Sequence, residues 1–478
     1  LEKENHVHDF TDGINSIREL VKTYPPEMAA QHTGIPAEDI RQLTKDFAQA
    51  QSACCYGRLG TSVQEHGSLN QWLMICLNLM TGNMDREGGV MFPQPAIDFL
   101  KAVKKEAKAL RWTSRVRQLP EVAGDLPAAT MIDEINTPGP GQIKGLITIA
   151  GNPVLSSPNG TKLAQSLEQL DFVLAIDIYL NETTRHASLI LPPATGIESF
   201  HYGIALHIVS MHNTAKYSEP GILISENQRF DWNILESLMH GIERKRGANW
   251  LTRTKHAVQR FLHPQRKIDL ALRIGPYGQL NGRLFQKNGL NLKRLIRHPH
   301  GIDFGQLKTS LPGRLFTKNK RLKLDHDLFI DAVKAVSLKS DSIDFPLRLI
   351  GRRDLRSNNS WMHNSKRLQK GPNRCSLLMH PEEADARQLI TGDLVEVIST
   401  VGKIRLPLEV SDSMMPGVVS IPHGWGHNKS GVRLRIASQK PGVSINDLTD
   451  HLQVDPISGT AVLTGIPVEV QAITKEIT

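Results

Sequence analysis

The chain has 478 residues, with 57 Lys and Arg against 48 Asp and Glu and a net charge of +9. The excess is local: residues 241–323 carry 20 basic side chains against Glu243, Asp269 and Asp303, a balance of +17 that leaves the rest at −8. That pattern excludes a uniformly basic nucleic-acid binder, and the absence of an apolar run of spanning length predicts no membrane insertion.

Length alone supports two or three domains. Pro36–Ala50 reads as an amphipathic helix with Ile40, Leu43 and Phe47 on one face. Ala53–Tyr56 reads as a short strand running into Gly57-Arg58-Leu59-Gly60, and Trp72, Ile75, Cys76 and Leu79 then keep helical spacing up to Thr81-Gly82-Asn83. Strand, glycine turn and helix in that order make half of a doubly wound α/β layer. By itself the turn is more often structural than a phosphate cradle. The four cysteines, Cys54, Cys55, Cys76 and Cys375, form neither a CxxC pair nor an array with metal spacing, which predicts buried thiols in a reducing compartment and a cytoplasmic protein. Phe99–Leu110 reads as a lysine-rich helical stretch with a solvated face, and Pro138-Gly139-Pro140-Gly141 as a loop.

A second α/β unit follows. The continuous apolar run Gly145–Ala150 suits a parallel strand buried on both faces. Gly151-Asn152-Pro153 breaks it, Leu163, Leu167 and Leu170 mark a helix, and Phe172–Ile176 is the next strand, ending at Asp177. Ligands of such sheets sit at the carboxyl ends of the strands, where free backbone N–H groups meet phosphate. Asp177 can accept from a ribose hydroxyl or a guanine edge, and it can equally cap a turn. His186, His201, His207 and His212 match no metal array. Residues 241–340 have poor periodicity and many turn residues, and no chemistry is assigned to them.

From 341 the pattern is β-rich. Phe345, Leu347, Leu349 and Ile350 mark a strand ending at Gly351, with others at Ser376–Met379, Leu394–Ser399, Ile404–Val410 and Val418–Ile421. Strict alternation at Ile404, Leu406, Leu408 and Val410, together with glycine-bearing turns, predicts a small closed barrel. The loop after Gly351 holds Arg352, Arg353, Arg356, Ser357, Asn358, Asn359, Ser360, Trp361, His363 and Asn364. Burying so many polar groups without partners is costly, and guanidinium forks, amides and an indole suit a large ligand with phosphates and a fused heterocycle.

This loop resembles the start of the C-terminal cofactor-binding domain of the molybdopterin oxidoreductases, the superfamily of dimethyl sulfoxide reductase, nitrate reductase and formate dehydrogenase. The run LNLMTGNMDREGGVMFP at 77–93 is similar to the family's LTGNxxRxGG signature, and GNP with the Asp177 to Thr183 register and ASLILPP at 187–193 resembles its guanine-nucleotide half-site. HGWGH at 423–427 and Ser444-Ile445-Asn446-Asp447-Leu448-Thr449 match its barrel motifs. The resemblance implies α/β doubly wound layers followed by a C-terminal β-rich double-psi barrel. The implied domains are 1–97, the end of a first α/β domain; 98–240, a second with the dinucleotide half-site; 241–340, a basic connecting segment; and 341–478, the barrel.

The implied cofactor is bis-molybdopterin guanine dinucleotide with molybdenum or tungsten. Its implied contacts are Gly57, Arg58, Gly60, Gly151, Asn152, Pro153, Asp177, Thr183, Arg353, Ser357, Asn358, Ser360, Trp361, His363, Asn364, His423, Gly424 and Asn446. The family's iron–sulfur cysteines and metal-ligand segment have no counterpart here, so the stretch is expected to be a C-terminal portion, inactive alone, with an iron–sulfur cluster only in a preceding part. No catalytic residue and no protein ligand to the metal are therefore named. The implied function is two-electron redox or oxygen-atom transfer on a small-molecule substrate, with an electron-transfer partner of unspecified kind. Val90-Met91-Phe92-Pro93-Gln94 departs from the R-G-Q-N-like run of formate dehydrogenases, which argues against formate. The competing reading is a non-catalytic protein holding nucleic acid or an acidic partner through 241–323. Its interleaved aromatics are few (Trp250, Phe261, Tyr277, Phe285), which weakens it.

Overall fold

The computed structural model describes residues 2–103, 109–247, 249, 262–281, 288–336 and 344–473. They form two compact units, each assembled from separate stretches: Gly57–Trp72, Ala107–Leu191 and Asp331–Thr478 in one, and Leu1–Tyr56, Leu73–Glu106 and Pro192–Ile330 in the other.

The first of these contains a three-stranded parallel sheet, β1 (Gly145–Ile149), β2 (Phe172–Ile176) and β3 (Leu189–Ile190), in that order. The crossover from β1 to β2 carries helices Pro153–Ser156 and Gly160–Leu167. Asn159 caps the second by accepting from the Lys162 N–H, and Leu163 and Leu167 pack with Ile132, Ile135 and Val154. Only β2 is the buried strand that its apolar run predicts. β1 is a sheet edge, so Ile147 and Ile149 remain 48% and 47% exposed.

The same unit holds a closed six-stranded barrel of β4 (Leu347–Arg352), β5 (Leu377–Met379), β6 (Leu394–Ile398), β7 (Lys403–Val410), β8 (Val418–Pro422) and β9 (Ile466–Ala472). Its order is β4-β8-β5-β7-β6-β9, closed by antiparallel pairing of β9 with β4, while β4 with β8 and β5 with β7 are parallel pairs. This agrees with the expected double-psi barrel. Alternation fills its interior with Leu347, Leu349, Val395, Val397, Ile404, Leu406, Leu408, Val419, Ile421 and Val468. Each such burial contributes about 1.5–3 kcal/mol before entropy is charged against it. Arg352 belongs to the barrel and not to the polar loop: its guanidinium donates to the carbonyls of Ser420 and Ser376.

In the other unit, Ala37–Gln49 forms the helix expected there. The strand expected at Ala53–Tyr56 does not form; among the described residues no strand pairs with it, and the Asn78 side chain instead brackets Cys55 through its N–H and C=O. Cys54 is exposed and Cys55 only partly covered, so the expectation of buried thiols holds for Cys76 and Cys375. The helix Gly67–Met80, whose residues are divided between the two units after Trp72, buries Leu69, Trp72, Cys76 and Leu79 but leaves Ile75 exposed. The helix expected at Phe99–Leu110 is Phe99–Val103; 104–108 lie outside the described residues, and Ala109–Thr113 is a strand.

The basic stretch is built into this second unit's core: Leu272, Leu290 and Leu295 pack with Tyr202 and Tyr217, and Tyr277 stacks on Phe304 with ring centroids 4.0 Å apart. Trp250, Phe261 and Phe285 lie outside the described residues. Among the described residues no helix is long and apolar enough to cross a membrane.

Candidate functional site

Within the barrel-bearing unit, the carboxyl ends of β1, β4 and β8 open onto one cavity of about 590 Å³. β4 and β8 are parallel neighbours, so the segments that follow them emerge side by side. The β1 end contributes Ala150, Gly151 and Asn152; the β4 end contributes Gly351, Arg353 and Asn358–Trp361; the β8 end contributes His423 and Gly424. Leu59, Gly60, Val63, Leu155, Ser156, Ile445, Asn446, Leu463 and Thr464 complete the wall.

Local conformation explains the residue types. Asn358 and Asn359 both have positive φ, 41° and 60°, a region asparagine tolerates better than most side chains. Arg353 is steadied by donating to Asn359 Oδ1 at 2.6 Å. Gly424 (φ 94°) lies so close to this loop that a Cβ would stand 2.2 Å from the Asn359 carbonyl oxygen. Three other glycines are less crowded: a Cβ on Gly60 would meet open space, and on Gly151 or Gly351 only ordinary contacts at 3.7 and 3.8 Å. Side chains there would take up room that the cavity now offers.

Arg353 is the one fixed charge among the lining residues. Burial, aided by Arg353, pushes the His423 imidazole down to about 4, leaving it neutral near pH 7. A net-positive cavity with amide and hydroxyl donors at one side and Leu59, Val63, Leu155, Ile445, Leu463 and the half-exposed Trp361 at the other fits an anionic ligand with a flat ring system. Asn446 is buried and donates to the Leu155 carbonyl at 2.7 Å through an amide that carries a second N–H.

Ten of the eighteen predicted residues therefore line one cavity: Gly60, Gly151, Asn152, Arg353, Asn358, Ser360, Trp361, His423, Gly424 and Asn446. The other eight lie outside its lining. Gly57 and Arg58 precede the short helix Leu59–Ser62, and Pro153 is the first residue of its own helix. Asp177 accepts from the Tyr179 N–H and from Asn181 Nδ2. Thr183 accepts from the Val154 N–H, and Asn364 Oδ1 accepts from the Ile436 and Ala437 N–H groups. Ser357 and His363 are buried against each other.

Sequence reasoning missed the apolar wall, whose residues look like any core, and it missed Glu182 and His427, which are buried and lie 2.8 Å apart outside the lining. The second histidine of HGWGH, four residues after the first, was the available signal. Among the described residues no group of three or more His, Cys, Asp or Glu could hold a metal ion.

Two family models match: "Molybdopterin oxidoreductase" over residues 43–240 and "Molydopterin dinucleotide binding domain" over 347–467. The thiosulfate reductase molybdopterin-containing subunit PhsA of Salmonella typhimurium is 22% identical, aligned over 96% of this chain and 63% of its own length. The assimilatory nitrate reductase catalytic subunit of Bacillus subtilis is 22% identical, over 93% of this chain and 63% of its own. The chain thus spans somewhat under two thirds of these relatives. Among solved structures, acetylene hydratase from Pelobacter acetylenicus has the same fold, with a TM-score of 0.72 at 16% identity, covering 98% of this chain and 67% of that one.

Proposed function

Because the chain belongs to the molybdopterin oxidoreductases, we propose that its barrel-bearing unit holds a molybdopterin guanine dinucleotide, one of two around a single molybdenum or tungsten, as part of an oxidoreductase. The observation that carries the reading is the cavity itself. Three strand ends far apart in sequence bring an arginine, a row of amides and hydroxyls and an indole to one place, with the uncrowded glycines Gly60, Gly151 and Gly351 beside them. These residues fit the group. Arg353 neutralises phosphate, Asn358, Ser360 and Asn446 supply donors, Trp361 and the aliphatic wall cover a flat ring, and Gly60 and Gly151 let backbone approach it. When bound, the group supplies two-electron redox or oxygen-atom transfer, while the protein holds and orients it. The β1–β3 sheet is then one layer of a doubly wound domain, with Asp177 at its guanine end. A small-molecule substrate, an electron-transfer partner and a cytoplasmic site of action complete the reading.

The test is composition. Protein purified from a molybdenum-replete host should contain molybdenum or tungsten, release GMP on acid hydrolysis and yield the fluorescence of oxidised pterin. Two GMP per metal supports the paired arrangement. Folded protein with neither GMP nor pterin overturns the proposal.

A further inference from the structure

Beneath the cavity wall runs a chain of buried polar groups. Ser357 Oγ lies 2.7 Å from His363 Nε2, His363 Nδ1 lies 2.8 Å from His427 Nε2, and His427 Nδ1 lies 2.8 Å from Glu182 Oε1. The other carboxylate oxygen, Glu182 Oε2, accepts from Asn152 Nδ2 at 2.7 Å, and Asn152 Oδ1 accepts from Thr183 Oγ1 at 2.7 Å. His363 and Glu182 are fully buried, and Ser357 is 3% exposed. Trp425 closes the chain from one side, its ring centroid 4.1 Å from that of His363.

The chemistry of the atoms fixes the direction of the bonds to Glu182, and the rest of the chain follows from one choice of tautomer. Burial raises the Glu182 carboxyl, but the bonds from His427 and Asn152 outweigh it and hold the group below its ordinary value. It is therefore a carboxylate and can only accept. His427 must then donate from Nδ1, and the arrangement proposed here leaves its Nε2 bare. That bare nitrogen accepts from His363 Nδ1–H, whose own Nε2 accepts the Ser357 hydroxyl. One neutral arrangement, both rings protonated at Nδ1, satisfies every atom. At the far end the same polarity locks the Asn152 amide. Its oxygen faces Thr183 and one N–H faces Glu182, so its remaining N–H is the group it can offer to the cavity that it lines.

We propose that Glu182, His427 and His363 are positioning residues that make Asn152 a donor-only contact for an anionic oxygen of the cofactor and tie the turn after β1 to the loop after β4. The proposal rests on the cofactor reading for the ligand's identity and not for the bond pattern. It explains why an ionised glutamate is retained in a fully buried place. A buried acceptor facing the donors of two cavity segments sets their polarity, which an apolar contact of the same volume cannot do.

Two measurements on the full chain test it. Nitrogen-15 spectra of histidine-labelled protein should show the Nδ1–H tautomer at both His363 and His427, with or without cofactor. Glu182, His427 and Asp354 are the titratable groups that face His363, and His363 should stay neutral down to pH 5. An Nε2–H tautomer at either ring overturns the proposal, even in protein that contains no pterin. The second measurement is cofactor retention during gel filtration of His427→Leu and His427→Gln. Leucine fills the space but breaks the chain, and cofactor loss should speed up about tenfold. Glutamine donates through its amide N–H and accepts through its oxygen, so it should recover most of the retention. Leucine performing as well as glutamine would reduce the chain to packing and sink the proposal. If the wild-type protein carries no GMP while both tautomers hold, the cofactor reading fails and the bond pattern stands.

Discussion

Asp177 presents two claims on one carboxylate. Its oxygens already accept from the Tyr179 N–H and from Asn181 Nδ2, and desolvation in its 9% exposed position raises its pKa. A carboxylate offers about four lone-pair sites, and the Ile178 N–H also bears on this one, so little room is left for the paired donors of a guanine edge. Adenine has no such donor pair, and the unpaired carboxylate would count against it. In the Asp177→Asn variant the amide N–H₂ would face those donors. The expected result is weaker cofactor retention by about 1–3 kcal/mol, read as GMP per mole of folded protein after gel filtration. Unchanged loading would leave Asp177 as a residue that closes a turn and nothing more.

At the scale of elements, the loop after β4 and the HGWGH segment depend on each other's backbones. Gly424 combines a φ of 94° with a would-be Cβ 2.2 Å from the Asn359 carbonyl oxygen, so even the smallest side chain both strains the backbone and pushes the loop away. Gly424→Ala should cost about 2–3 kcal/mol of stability, measured by denaturant unfolding, and should lower cofactor content by more than that loss explains. Wild-type stability in the variant would mean that the two segments are free to separate. The barrel was legible in the sequence because Ile404, Leu406 and Leu408 alternate with Arg405, Pro407 and Glu409, a pattern that suits a half-buried strand. Ala53–Tyr56 was misread because β-propensity records fit to a pleated surface, and here the partner of Cys55 is the side chain of Asn78 on a helix. The same limit hid the depth of the loop. Ser357, His363 and Asn364 look like Asn358 and Ser360 in sequence, yet three of these five face inward to buried partners. Periodicity has nothing to say inside an irregular segment, and only the tertiary partners, Glu182 and His427 among them, decide which side each residue takes.

For the molecule as a whole, depressed imidazoles couple stability to pH, His363 and His423 most strongly among the described residues. Burial above all pushes His363 down to about 3, and burial with Arg353 pushes His423 down to about 4, against an ordinary value of 6.5. Between those values and 6.5 the unfolded chain binds protons that the folded chain refuses. Stability is therefore fully present above the unfolded value, falls as pH drops below it, and stops falling from this cause once the folded values are passed. Melting temperatures should decline from pH 7 to pH 5, before most carboxylates titrate, and His363→Gln should flatten the decline. A pH-independent melting temperature over that range in the parent protein would contradict the burial of both rings.

The way the barrel closes carries a consequence in time. β4 finds one neighbour in β8 and the other in β9, across more than a hundred intervening residues, and Leu463 and Thr464 of the cavity wall directly precede β9. Contacts of such long range form late, because the loop they close must first exist and be ordered. The cavity cannot be complete on a nascent chain until β9 has emerged from the ribosome. Insertion of a large ligand into this unit is therefore a step that follows the emergence of β9, competing with a partly built barrel whose unpaired strand edges invite other chains.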